Sequence, residues 1–322
     1  MALPPKDQLK IGFAHGAYRM AERFQLRNTG IAHFQVRAAE DLARQLPEAD
    51  VLVVSMMWKN ELADIARRLR LIQSISAGTD QYDKQLLRDR GVRVASAAGV
   101  NAQAVAEHSM AMILALSRRL PEARDNQHAR HWRGMIGEIA RRESELAGKT
   151  LLVVGMGRIG SRLVRLAKAF DMRVIATKRD PSTGAEGADA VAGTDRLHEV
   201  LGEADIVALT CPLTPQTQNL IDAAALAAMK PGAHLVNVAR GRVVDDPALI
   251  RALQEGRLAA AALDVTCEEP LPASSPLWTM PNVLITPHTA GETQAYEDNV
   301  IDILLENLDR LWRGAPLRNE VV

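Results

Sequence analysis

The sequence predicts an α/β protein built from two doubly wound parallel-sheet domains. Three observations lead there. With 322 residues the chain is long enough for two cores of about 100 to 200 residues each. Short apolar runs alternate with stretches of helical periodicity throughout, the pattern of parallel sheets covered by helices. That alternation falls into two series, separated by one long segment of small and apolar residues.

In the first series the strands are KIGFAH, AHFQVR, DVLVVS, LIQSIS and VRVAS, with helices between several of them. The second begins at TLLVVG and continues through RVIATK, DIVALT, AHLVNVA, AAALDV and VLITPH. The two series are not repeats of one motif. Between them, NAQAVAEHSMAMILALSRRL has small or apolar residues on nearly every face, which predicts a helix buried between domains. An ordinary core helix is the simpler alternative. The last helix, about Glu292 to Arg313, places Val300, Ile303, Leu304, Leu308 and Leu311 at helical spacing. Its apolar stripe is expected to dock on the N-terminal series.

Composition narrows the class. Hydrophobic residues make up 47% and charged residues 24%, ordinary values for a globular protein. Lys+Arg and Asp+Glu both number 39, so no global field would draw the chain to nucleic acid or an acidic membrane. The N-terminus MALPPKDQLKIGFAHG lacks the apolar core of a signal peptide, and no run approaches the ~18 apolar residues of a membrane span. Cys211 and Cys267 form no disulfide framework and suit a reducing compartment. The expected location is the cytoplasm. No metal-ligand pattern is present, and both cysteines, taken alone, read as small packing residues.

Directly after TLLVVG come Gly155, Met156, Gly157, Arg158, Ile159 and Gly160, followed by the helical SRLVRLAKAF. This is a GxGxxG loop in its required setting of strand, turn, helix and next strand. The first glycine permits the tight turn, the second lets a pyrophosphate approach the backbone, and the third lets helix and strand pack closely. Free N–H groups at the helix start receive the phosphates. The next strand normally ends in an acid that holds the ribose hydroxyls. Here its tip reads Thr177, Lys178, Arg179, and two cations there can hold a 2′-phosphate through charge-assisted hydrogen bonds. NADP(H) is therefore the expected cofactor, with NAD(H) possible through the nearby Asp180. A solvated basic loop is the simpler alternative.

Three further motifs lie at predicted strand ends, where open α/β sheets place ligands. They are NVARG with Arg240, LDVTCEEPLP with Glu269 and LITPHTAG with His288. With SAGTDQYD, GVNAQAVAEH and CPLTPQTQNLI, these motifs make residues 50 to 320 resemble the D-2-hydroxyacid dehydrogenase family, most specifically in the second series. Ala98 departs from the proline that relatives often carry there, and SMMWKN has no standard family form.

The resemblance implies a flavodoxin-like substrate domain, residues 1–101 plus 292–322, and a Rossmann cofactor domain, residues 102–291, with a cleft between them. It implies reduction of a 2-keto acid such as glyoxylate or hydroxypyruvate, of the glyoxylate/hydroxypyruvate reductase kind, by a homodimer. Arg240 would bind the substrate carboxylate and developing alkoxide through its planar fork of donors. His288 would protonate the oxygen, since an imidazole titrates near neutrality. Glu269 would pair with His288 and orient its ring. By resemblance, Cys211, Pro212, Thr217, Ala239, Asp264 and Gly291 complete the cofactor site, and the amides of Ser76, Ala77 and Gly78 grip the substrate carboxylate. Met57 and Trp58 are candidates to wall the side-chain pocket, with core packing as the equal alternative. His108 is expected to pack on the long helix, and His128 and His131 to sit on a helix surface near Trp132. The rival class is a nucleotide-sensing corepressor-like scaffold on the same fold.

Overall fold

The apolar segments of the first series pair as one parallel sheet. In the computed structural model, which describes residues 3–322, its strands are β1 (Lys10–Ala14), β2 (Ala32–Val36), β3 (Val51–Val54), β4 (Leu71–Ser74) and β5 (Arg93–Ala95). Their spatial order is β2-β1-β3-β4-β5, the flavodoxin-like order. Every residue of β3 and β4 is buried, as befits strands covered on both faces. Helices α1 (Met20–Gln25), α2 (Ala39–Gln45) and α3 (Lys84–Asp89) lie among these strands in the chain. Asp83 starts α3 by accepting from the amides of Gln85 and Leu86.

The second series forms a sheet of seven parallel strands. They are β6 (Thr150–Val154), β7 (Arg173–Lys178), β8 (Ala190–Gly193), β9 (Ile206–Leu209), β10 (Ala233–Asn237), β11 (Leu258–Leu263) and β12 (Val283–Ile285). Their order, β12-β11-β10-β9-β6-β7-β8, reverses direction between β6 and β9, which makes that gap the switch point at which such sheets bind ligands. The sequence pattern did not reveal β8. Its four residues, AVAG, include one bulky side chain and form the sheet edge, so they carry little apolar signal.

The helices of this unit are α4 (Ala102–Ser117), α5 (Leu120–His128), α6 (Arg158–Ala169), α7 (Leu197–Leu201), α8 (Ala223–Ala228) and α9 (Asp246–Gln254). α4 packs on α6, β10 and β11, and its Val105, Ala106, Met110 and Ile113 share a core with Leu151, Val153 and Val174. α5 stops at His128, so His131 and Trp132 follow the helix in an exposed loop rather than lying on it.

The chain divides into two units, Met1–Asn101 with Thr293–Val322, and Ala102–Glu292. The last helix, α10 (Tyr296–Trp312), belongs to the first of these. Its Val300, Ile301, Leu304 and Leu308 join Phe13, Phe24, Val53 and Leu71 in one core. Two polar ties fix its register: Tyr296 donates its hydroxyl to the carbonyl of Ile75 at 2.7 Å, and buried Asn307 donates to Gln73 Oε1 at 2.9 Å. Among the described residues no helix is long and apolar enough to cross a membrane.

Candidate active site

β6 ends at Val154 and the chain turns at Gly155, whose φ of 97° suits glycine. A Cβ there would meet Cys211 Cα at 2.7 Å, and a Cβ at Gly160 would meet the Gly155 carbonyl oxygen at 2.6 Å. Backbone packing therefore demands both glycines. Gly157 differs, since a Cβ there would meet nothing within 4 Å and would project into open space ahead of α6. The turn is anchored from β7 and β9. Gly155 N donates to Thr177 Oγ1 at 3.2 Å, Met156 N to the Thr177 carbonyl at 2.9 Å, and Thr210 Oγ1 to the Gly155 carbonyl at 2.8 Å. Thr177 and Met156, both expected at the cofactor, are buried and hold the loop in place. An open space beside a glycine, at a helix start and a sheet switch point, fits the diphosphate of a dinucleotide.

The tip of β7 is less simple than its sequence. Lys178 Nζ donates to Glu186 Oε1 at 3.0 Å, the Gly184 carbonyl at 2.9 Å and Thr183 Oγ1 at 3.3 Å, and its side chain is 10% exposed. Arg179 is exposed, and no partner of its side chain is found among the described residues. Asp180 accepts from Ser182 Oγ at 2.6 Å and Ser182 N at 3.0 Å, bonds that hold its carboxyl below the usual range. Its carboxylate is thus committed to its own turn.

Arg240, Glu269 and His288 follow β10, β11 and β12 respectively. His288 Nδ1 lies 2.7 Å from Glu269 Oε2, and Thr266 N donates to Glu269 Oε1 at 3.1 Å. Arg240 donates from one terminal nitrogen to the Ala239 carbonyl at 2.7 Å, while Asn237 Nδ2 holds the Arg240 carbonyl at 3.1 Å. The loops of Arg240 and Glu269 are in backbone contact. A Cβ on Gly241 would sit 1.9 Å from the carbonyl carbon of Thr266, so only glycine fits between them.

His288 has φ 56°, a left-handed conformation uncommon for a residue with a Cβ. Asp264 over-determines it. Its backbone carbonyl accepts from His288 N at 2.8 Å, and its buried carboxylate accepts from Thr286 Oγ1 at 2.6 Å, Thr289 N at 3.0 Å and Ala290 N at 3.1 Å. His108 on α4 reaches the same network, with Nε2 at 3.0 Å from Thr286 Oγ1. Asp264, expected to touch a cofactor, is thus first of all the clip of the His288 loop. Asn237, Gly241, Thr266 and Thr286 are the supporting residues that sequence reasoning missed. Each lies in or beside a recognised motif, but its partner is set by loop crossings that spacing does not encode.

The other expected cofactor residues fall near the switch point or the strand ends beyond it. Cys211 follows β9 against Gly155 and is buried, which pushes its thiol up to about 11. Thr217 donates its hydroxyl to the Pro212 carbonyl at 2.6 Å and accepts from Thr214 N at 2.7 Å, which folds this loop on itself. Ala239 is buried with its amide on Asn237 Oδ1 at 3.0 Å, and Gly291 is a half-buried turn residue three positions after His288.

In the first unit, Ser76, Ala77 and Gly78 leave the end of β4. The Ser76 side chain bonds to that of Ser55, and among the described residues the amides of Ala77 and Gly78 have no partner. Of the two equal readings of Trp58, its burial supports core packing: it is 3% exposed, donates Nε1 to Asn60 Oδ1 at 3.1 Å and packs near Tyr82. Met57 is half-buried beside that core.

This architecture is that of known oxidoreductases. The profile of the D-isomer specific 2-hydroxyacid dehydrogenase NAD-binding domain matches residues 110–290. A glyoxylate reductase of Aeropyrum pernix is 38% identical over 293 residues, 87% of this chain and 85% of that protein. A D-3-phosphoglycerate dehydrogenase of Methanocaldococcus jannaschii is 37% identical over 287 residues, 88% of this chain and 53% of that protein. The chain spans about half the length of such phosphoglycerate dehydrogenases. The crystal structure of the TT0316 protein from Thermus thermophilus aligns with a TM-score of 0.85 at 34% identity, covering 98% of this chain and 100% of that one. The chain belongs to the D-isomer specific 2-hydroxyacid dehydrogenase family.

Proposed function

We propose that the protein reduces a 2-keto acid to the D-2-hydroxy acid with a nicotinamide dinucleotide, preferring NADP(H). The observation that carries this reading is the Glu269–His288 pair at 2.7 Å, tied through Thr266 and Gly241 to the loop of Arg240. The carboxylate of Glu269 accepts from Nδ1, so Nε2 carries the proton that is passed to the substrate oxygen on reduction and taken back on oxidation. Arg240 makes one bond to the carbonyl of Ala239 and keeps the rest of its fork for the substrate's carboxylate and developing alkoxide. The dinucleotide, when bound, supplies the hydride for C2. In the other unit, the amides of Ala77 and Gly78 are donors of the kind a carboxylate takes.

The open space at Gly157 and the start of α6 would hold the diphosphate, and exposed Arg179 is the cation offered to a 2′-phosphate. On this reading the unit Ala102–Glu292 binds the cofactor. Relatives named glyoxylate reductase and glyoxylate/hydroxypyruvate reductase make glyoxylate and hydroxypyruvate the first substrates to try. We also assign the chain to a homodimer. Trp132 and Met135 lie fully open to solvent in the loop after α5, with Ile139 mostly so, an apolar segment suited to a second copy. The free thiols of Cys211 and Cys267 fit a reducing cytoplasm. A panel of 2-keto acids assayed with NADPH and NADH tests the activity. Turnover of none with either cofactor would refute it, and equal efficiency with both would refute the NADP preference.

A further inference from the structure

Strand β7 ends without the carboxylate that usually holds a ribose, yet the fold returns one to the same place. Glu186 lies on the turn between β7 and β8, eight residues beyond Lys178, with φ 46°. Its Oε1 is 3.0 Å from Lys178 Nζ, and its Oε2 accepts from the hydroxyl of Ser161 in the first turns of α6. One carboxylate thus bridges the tip of β7 and the helix of the glycine loop. The ammonium of Lys178 has three donors, and the structure fills all three, with Glu186 Oε1, the Gly184 carbonyl and Thr183 Oγ1. The Ser161 bond and Lys178 hold the Glu186 carboxyl below its usual range, so it is charged at neutral pH. Arg179 next door has no such tie.

We propose that Glu186 is a specificity-determining residue, a counter-charge that occupies Lys178, leaves Arg179 as the cation for a 2′-phosphate, and so moderates the preference for NADP(H) over NAD(H). The inference rests on the cofactor reading above. A 2′-phosphate near this tip meets a neutralised lysine and a nearby anion, both of which weaken its binding. The ribose hydroxyls of NAD(H) meet no such penalty. Because Glu186 is about half exposed, solvent screens the effect and keeps it moderate.

The test is direct calorimetric titration of the purified full-length protein with NADPH and with NADH, alongside thermal melts. Glu186→Gln removes the charge and keeps the shape. Glu186→Gly removes the side chain and suits the left-handed backbone, so it folds even if the first variant does not. Both variants should bind NADPH about three- to fivefold tighter than wild type, with NADH affinity within about twofold. Variants that leave the ratio of the two affinities unchanged, or weaken both cofactors alike, would overturn the role of Glu186 while leaving the cofactor reading standing. A wild type that binds neither dinucleotide would overturn the cofactor reading itself.

Discussion

A Cβ added at Gly241 would lie 1.9 Å from the carbonyl carbon of Thr266, 2.0 Å from its oxygen and 2.4 Å from the amide nitrogen of Cys267. All three are backbone atoms, so no side-chain rotation relieves the clash. Ordinary contact begins at 3.4 Å, so the loops of Arg240 and Glu269 must separate by about 1.5 Å, the difference between 3.4 and 1.9 Å. A misplacement of about 1 Å at reacting groups costs on the order of 10²-fold in rate. Gly241→Ala should therefore lower kcat/KM for glyoxylate by ~10²-fold or more. Overpacking of this kind also costs about 1–3 kcal/mol, or roughly 2–4 °C in Tm per kcal/mol for a domain of this size. Dinucleotide affinity, set at the separate loop of Gly155–Gly160, should stay within about threefold of wild type. Steady-state kinetics, a cofactor titration and a thermal melt on one preparation measure all three quantities. A Gly241→Ala protein with kcat/KM within about threefold of wild type would mean that the two loops need not be in register for catalysis.

Arg240→Lys keeps the charge but loses the planar fork, and should cost ~10²-fold or more in kcat/KM; activity near wild type would remove Arg240 from the chemistry. Gly157→Ala has an ordinary backbone conformation and open space for its methyl group, so Tm should hold. Its dinucleotide affinity should nonetheless fall by about tenfold, because the methyl fills the approach to the loop; unchanged calorimetric binding would place the diphosphate elsewhere. Trp58→Ala should cost about 3–5 kcal/mol of stability with no change in the ranking of 2-keto acids, and a changed ranking would return Trp58 to the pocket. Burial pushes the thiols of Cys211 and Cys267 up to about 11, so neither is thiolate near pH 8 and labelling should accelerate only as pH rises toward that value. Fast stoichiometric labelling of the native protein at pH 8 would contradict that burial.

How far the sequence could be read depended on whether the signal was local. Strands such as TLLVVG and DVLVVS announce themselves because a strand buried on both faces must be continuously apolar, whereas AVAG at the sheet edge need not be, and β8 was missed. Gly155 and Gly160 were legible because their order is fixed by the turn they make. Arg240, Glu269 and His288 were legible because each stands in its own motif at a strand end. Long-range partners were not. That Gly241 must admit Thr266, or that Asp264 clips the loop of His288, follows from loop crossings between residues 22 to 26 apart in the chain. Lys178 shows the same limit from the other side. Its charge was visible, but not the returning Glu186 that takes it up. Trp58 read equally as pocket wall or core because one large apolar side chain looks alike in both.

The most direct measurement is the loss of reduced-nicotinamide absorbance on adding glyoxylate or hydroxypyruvate to NADPH and the protein, with His288→Gln in parallel and the chirality of the product determined. Wild type should consume NADPH and yield the D-2-hydroxy acid, and His288→Gln should be slower by ~10²- to 10⁴-fold, the range a positioned acid–base group supplies, while still binding the dinucleotide. Absence of turnover on every 2-keto acid with either cofactor, or a His288→Gln protein as fast as wild type, would contradict the assignment of this site to keto-acid reduction.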